Sequence, residues 1–228
     1  MDRRRTLTAK DPTGGVGQLH CERWSHHQGL KSMPSAYTID ARVELPRGLV
    51  PAMVQSAVRV TEDRASDLVE LYHEQRNAFS TIVGIFGARA LAAVSPYEPS
   101  PHRFLAQGAF PDLRRNGARG DPPPPRACLE SKASIRRWPI QAHYNHEGWY
   151  IVVDESLIFS GKPVVIWRVD VLCLKTSDWK YEGSKASAEG GGSTHTFGAK
   201  RPATKLAGAR LLHRNNVSFT AGKPVLNE

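Results

Sequence analysis

Two apolar runs, GWYIVVD over 148–154 and PVVIWRVDVLCL over 163–174, constrain the fold more than any other part of the chain. Both are rich in β-branched and aromatic residues, which suit a pleated surface. The second is too continuous to keep one face in water, so it predicts a strand crossing the centre of a sheet that is covered on both sides. A chain of 228 residues, 40% of them hydrophobic, can bury such a sheet in one generous domain. The other long apolar stretch, Phe79 to Val94, carries Arg89 and falls short of the roughly 20 residues a membrane span needs. It predicts a buried helix, and no membrane partner is expected.

The expected class is therefore α/β, a mixed sheet with helices on it. Leu68, Tyr72, Phe79, Ile82 and Phe86 follow helical spacing and predict one helix capped by Thr61 or Asp63 and weakened at Gly84 and Gly87. YTIDARVEL, from Tyr37 to Leu45, alternates as a short strand does. The proline-rich loop LRRNGARGDPPPP leads into ACLESKAS (127–134), a further strand, which places the central sheet within 105–175. After it, 176–200 is polar and glycine-rich and predicts a loop or irregular hairpin, followed by a short helix around Ala203 to His213 and a strand near Val217 to Phe219. Residues 1–33 lack apolar periodicity and predict an extended or poorly ordered basic arm ahead of a single domain over 34–228. Cys21, Cys128 and Cys173 are odd in number and far apart, which argues against a disulfide framework or a cysteine zinc site. The opening MDRRRTLTAKDPTGG has charge but no apolar run behind it, so a reducing, cytoplasmic setting is expected.

Thirty-one Lys and Arg against twenty-two Asp and Glu give +9 at pH 7, a balance that favours a polyanion, and nucleic acid first. The excess positive charge of 103–137 and of 175–228 suggests two parts of one anion-binding surface. Other chemistries find little support. GGGSTHTFG lacks the Lys-Ser/Thr ending of a nucleotide loop, no GxSxG elbow occurs, and His143-x-x-His146 has no third ligand in reach. Cys128 reads as core packing.

Hydrolysis of a phosphodiester calls for carboxylates to hold a divalent cation and a cationic group beside the attacking water. On the strand ACLESKAS, residues two apart share a face, so Glu130 and Lys132 project together while Leu129 and Ser131 face the other way. Pro111-Asp112, separated from Glu130 by seventeen residues, offers a second carboxylate from a neighbouring strand. Two competitors exist. Asp121 leaves only eight residues, four of them proline, before Glu130, and Asp170 with Asp178-Trp179-Lys180 repeats the pattern but puts the triplet in a turn.

With PD, then ESK, the segment from Phe110 to Leu174 resembles the PD-(D/E)XK nuclease superfamily, which includes the type II restriction endonucleases. The resemblance implies a restriction endonuclease-like central mixed β-sheet flanked by helices. It implies Mg²⁺ held by Asp112 and Glu130, with Lys132 positioning or activating water. It also implies a helix-borne Glu in the site, for which Glu70 and Glu74 are the candidates. A homodimer cutting both strands of double-stranded DNA, and a companion DNA methyltransferase, follow from the same likeness.

Arg114, Arg115, Arg119, Arg136 and Arg137 are expected to hold phosphates beside the site. Lys180, Lys185, His195 and Lys200, in the basic segment 176–201, are expected to reach a groove, where base edges accept their hydrogen bonds. The function expected is a metal-dependent, sequence-specific endonuclease. The alternatives are a repair or recombination nuclease of the same fold, and a basic nucleic-acid-binding protein without catalysis in which Glu130 and Lys132 form an ordinary ion pair.

Overall fold

The computed structural model describes residues 36–100, 110–120, 123–134, 140–154, 164–186, 193–221 and 223–227, all within one unit, Ser35–Glu228. The expected arm, 1–33, lies outside the described residues, as do Asp121, Arg136 and Arg137.

The chain enters on β1 (Tyr37–Ile39), a strand much shorter than the alternation over 37–45 predicts. Asp40 ends it. Its carboxylate accepts the backbone N–H of Arg42 (3.0 Å) and the Arg42 guanidinium (2.8 Å), which folds the chain into a turn. The single predicted helix is three: α1 (Pro51–Ser66), α2 (Val69–Glu74) and α3 (Arg76–Val94). Helix α1 begins ten residues before the expected cap because Pro51 suits a first turn. Thr61 lies buried inside it, its hydroxyl donating to the Ala57 carbonyl (2.7 Å). Extended backbone at Gln75 (φ −144°, ψ 82°) separates α2 from α3, and Leu68, expected on the buried stripe, is exposed at the first break.

Three antiparallel strands follow as a meander, β2 (Tyr97–Pro99), β3 (Leu113–Arg115) and β4 (Cys128–Ser134). The next strands are β5 (Gln141–Ala142), β6 (Gly148–Asp154), β7 (Arg168–Leu174), β8 (Trp179–Ala186) and β9 (Ser193–Ala199). Then come α4 (Pro202–Ala207), β10 (Arg210–Arg214), β11 (Val217–Thr220) and β12 (Lys223–Leu226). Among the described residues the main sheet has seven strands in the order β1-β10-β7-β6-β4-β3-β2; β4 and β6 run parallel and the other neighbours antiparallel. The architecture is a mixed α/β one with a large central sheet.

That sheet reaches beyond 105–175. Residues 210–213, expected at the end of a helix, insert with Arg214 as β10 between β1 and β7, where Leu211 and Leu212 are both fully buried across a register shift. The run from Val164 to Leu174 enters the ladder only at Arg168. Val164 to Trp167 are buried all the same, because α1 replaces a neighbouring strand: Ser66 Oγ accepts the Val164 N–H (3.0 Å) and Glu62 Oε1 the Ile166 N–H (2.8 Å).

Alternation sorts the two faces. Leu129, Trp149, Ile151, Val153, Val169 and Val171 turn toward α1 and α3. Tyr150, Val152, Leu172 and Leu174 turn the other way, onto Ile140, Trp179, Ala199 and Leu206. This second layer is a three-stranded antiparallel sheet, β5-β9-β8, so the irregular hairpin expected over 176–200 is a regular ladder with one bulge at Glu182.

Candidate active site

Glu130 and Lys132 lie on the face of β4 turned away from the helices. Leu129 packs in the helix-side core, and the Ser131 hydroxyl donates to the Gly84 carbonyl of α3 (3.4 Å). Lys132 Nζ is 2.5 Å from Glu130 Oε1. Asp112 directly precedes β3, after a cis Phe110–Pro111 peptide bond. Two reciprocal hydrogen bonds tie the strands: the Asp112 N–H donates to Glu130 Oε2 (3.0 Å) and the Ser131 N–H donates to Asp112 Oδ2 (2.9 Å). Each carboxylate is thus oriented by a backbone amide of the other strand. Glu130 is buried at 5% exposure, while Lys132 is partly exposed.

The recess over this pair was not foreseen from the sequence. Parallel register sets Tyr150 beside Glu130, and the loop between β5 and β6 brings His143, Tyr144 and His146 to the opening, with Phe110 on the other side. The loop is pinned by the His146 carbonyl, which accepts both the Tyr150 hydroxyl (3.1 Å) and the Trp179 indole N–H (2.9 Å). The His146 ring stacks on Phe110 with centroids 4.6 Å apart. Burial lowers the His146 pKa, keeping the ring neutral at pH 7. Burial, together with the Glu130 charge, raises the Tyr150 hydroxyl far out of range and pushes the Cys128 thiol up to about 12. The sequence signal for the recess is HYNH just before the strand GWYIVVD, two histidines whose spacing offers no third ligand in reach.

The other expected residues are dispersed. Glu70 and Glu74 are exposed on α2, and among the described residues no three His, Cys, Asp or Glu side chains form a metal-holding group, so neither joins Asp112 and Glu130. Arg114 is paired across the ladder with Glu98 (2.9 Å); Arg115 is half-buried and Arg119 exposed in the turn after β3. Lys180 and His195 are exposed on β8 and β9, Lys185 is on β8, and Lys200 donates to the Ser177 carbonyl (2.9 Å). Of the competing acids, Asp170 is fully buried, 2.8 Å from Arg168 Nε, and Asp178, in a 3₁₀ turn, binds Lys205 (2.6 Å).

Two carboxylates offer hard oxygen donors, and backbone amides hold them in place without using all their lone pairs. This suits Mg²⁺, which is commonly held by one or two carboxylates plus water and substrate oxygens. Comparison with protein-family models, curated proteins and solved structures finds no match to the chain.

Proposed function

We propose that this protein is a Mg²⁺-dependent endodeoxyribonuclease, acting on duplex DNA in the manner of the type II restriction enzymes. The observation that carries the reading is the reciprocal locking of Asp112 and Glu130 on adjacent strands, with the Lys132 ammonium on the outer oxygen of Glu130. Asp112 and Glu130 would hold the cation, which supplies Lewis-acid activation of the phosphate and of water. Lys132 does the remaining local work. Its ammonium neutralises part of the Glu130 charge and stands where it can hydrogen-bond a water aimed at phosphorus, favouring the hydroxide form. Tyr150, its hydroxyl spent on the His146 carbonyl, walls the recess and takes no proton.

The test is incubation of the purified protein with plasmid DNA, with Mg²⁺ and with EDTA, beside Glu130→Gln. Breakage with Mg²⁺ alone, lost in the variant, supports the reading. Binding without breakage under every divalent cation overturns it in favour of a non-catalytic nucleic-acid-binding protein.

A further inference from the structure

One face of the small sheet carries a row of rings that the catalytic reading does not use. Pairing of β8 with β9 sets Trp179 beside Ala199 and Tyr181 beside Phe197, and pairing of β5 with β9 sets Ala142 beside Phe197. At the base, Trp179, Ala199, Ala142 and Phe197 cover the main sheet. Beyond it the face emerges into solvent. Tyr181 is 51% exposed, with its ring 5.9 Å from that of His195 and 5.4 Å from that of Phe197. Ala142 also lines the recess over Glu130 and Lys132, and His143 Nδ1 lies 3.4 Å from the His195 carbonyl. The row therefore continues into the recess through Tyr144, 54% exposed, whose ring is 5.3 Å from that of His146.

Charge selects the occupant. Among the described residues of β5, β8 and β9 the one carboxylate, Glu182, points to the opposite face, where it accepts from Gln141 (2.9 Å). An uncharged, ring-bearing face on a chain of net charge +9, leading to a lysine at a candidate phosphodiester site, fits a polyanion that also presents flat apolar faces. In a duplex, base faces are covered by their stacked neighbours. Exposed tyrosines gain stacking only on bases that have left the stack.

We propose that Tyr144, Tyr181 and His195 form a stacking platform for an unpaired DNA strand and feed its phosphates into the Glu130–Lys132 recess, so that the preferred substrate is a duplex that also presents a single-stranded segment. The proposal rests on the nuclease reading for what happens in the recess, but not for the binding.

The full chain is titrated in EDTA, by fluorescence anisotropy, with a labelled 20-nucleotide oligo-dT and with a blunt duplex of equal length. The single strand should bind more tightly. Tyr181→Ala and Tyr144→Ala should each weaken it by about five- to a hundredfold, the range of one lost base–ring stack, while Tyr181→Phe retains it. Equal affinity for both DNAs, or undiminished binding by both alanine variants with circular dichroism unchanged, overturns the platform. With Mg²⁺, cleavage of a flapped duplex at its junction in preference to the blunt one supports the platform and the nuclease together. Tight strand binding with no cleavage of any DNA keeps the platform and rejects the nuclease, and blunt-duplex cleavage without single-strand preference does the reverse.

Discussion

Asp112 has two duties, and substitutions separate them. Its Oδ2 accepts the Ser131 N–H, so Asp112→Ala leaves a backbone donor on β4 without that partner and should cost about 1–2 kcal/mol of stability. Asp112→Asn keeps an acceptor there but withdraws the negative charge a cation needs. Nicking assays beside thermal melts should show both variants inactive, at least a hundredfold below the parent, with the melting temperature lowered only in the alanine variant. Cys128 supplies a second prediction at this scale. Its thiol, buried and beside Glu130, is held at about 12, so almost none of it is thiolate at pH 8, and its Sγ–H donates to the Pro123 carbonyl (3.2 Å). Alkylation of the native protein at pH 8, mapped by mass spectrometry, should leave Cys128 unmodified and label it only on unfolding. Because the thiol's pKa is raised rather than lowered, increasing the pH to 9 should not change that result.

Helix α3 crosses the helix-side face of β4 at its two glycines. A Cβ at Gly87 would lie 3.5 Å from Ser131 Oγ and 3.9 Å from Thr61 Oγ1, ordinary contact distances, so the position has room for a methyl group. Since helical Gly costs up to about 1 kcal/mol relative to Ala, Gly87→Ala should stabilise the fold by that order and raise the melting temperature by roughly 2–4 °C. A lowered melting temperature would mean that Ser131 needs the space. Strand β4 was legible in the sequence from its alternation of Leu129 and Ser131 with Glu130 and Lys132, and β6 from its run of aromatic and β-branched residues. The start of β7 was not. The apolar character of Val164 to Trp167 reports burial, whereas ladder membership depends on Glu62 and Ser66, 104 and 98 residues away from the amides they accept. The site divides in the same way. The Asp112, Glu130 and Lys132 cluster is local alternation plus one strand pairing, and could be read from spacing. The aromatic recess depends on parallel register between β4 and β6 and on a second sheet, neither of which leaves a mark in nearby residues.

For the whole molecule, the excess of positive charge would make the proposed association with DNA a matter of counterion release. The logarithm of affinity should fall linearly with the logarithm of salt concentration, losing about 0.9 of slope for each duplex phosphate contact removed. Neutralising Lys180 and Lys200 together should flatten that line by about two contacts in gel-shift titrations; an unchanged slope would place the contacts elsewhere. A duplex cutter with one site per chain that acts at a symmetric sequence usually pairs about a two-fold axis so that each site meets one strand; sedimentation should then show a dimer on cognate DNA, and a monomer giving only nicked product would reject the pairing. The clasp between Asp112 and Glu130 bears on more than chemistry. Strand β3 has three residues, and the same carboxylates that would hold a cation also fasten it to β4. Relatives of this chain without hydrolytic activity would still be under selection to keep a hydrogen-bond acceptor at both positions for folding, so acceptors persisting there would attest to an intact β3–β4 seam and not to a working enzyme.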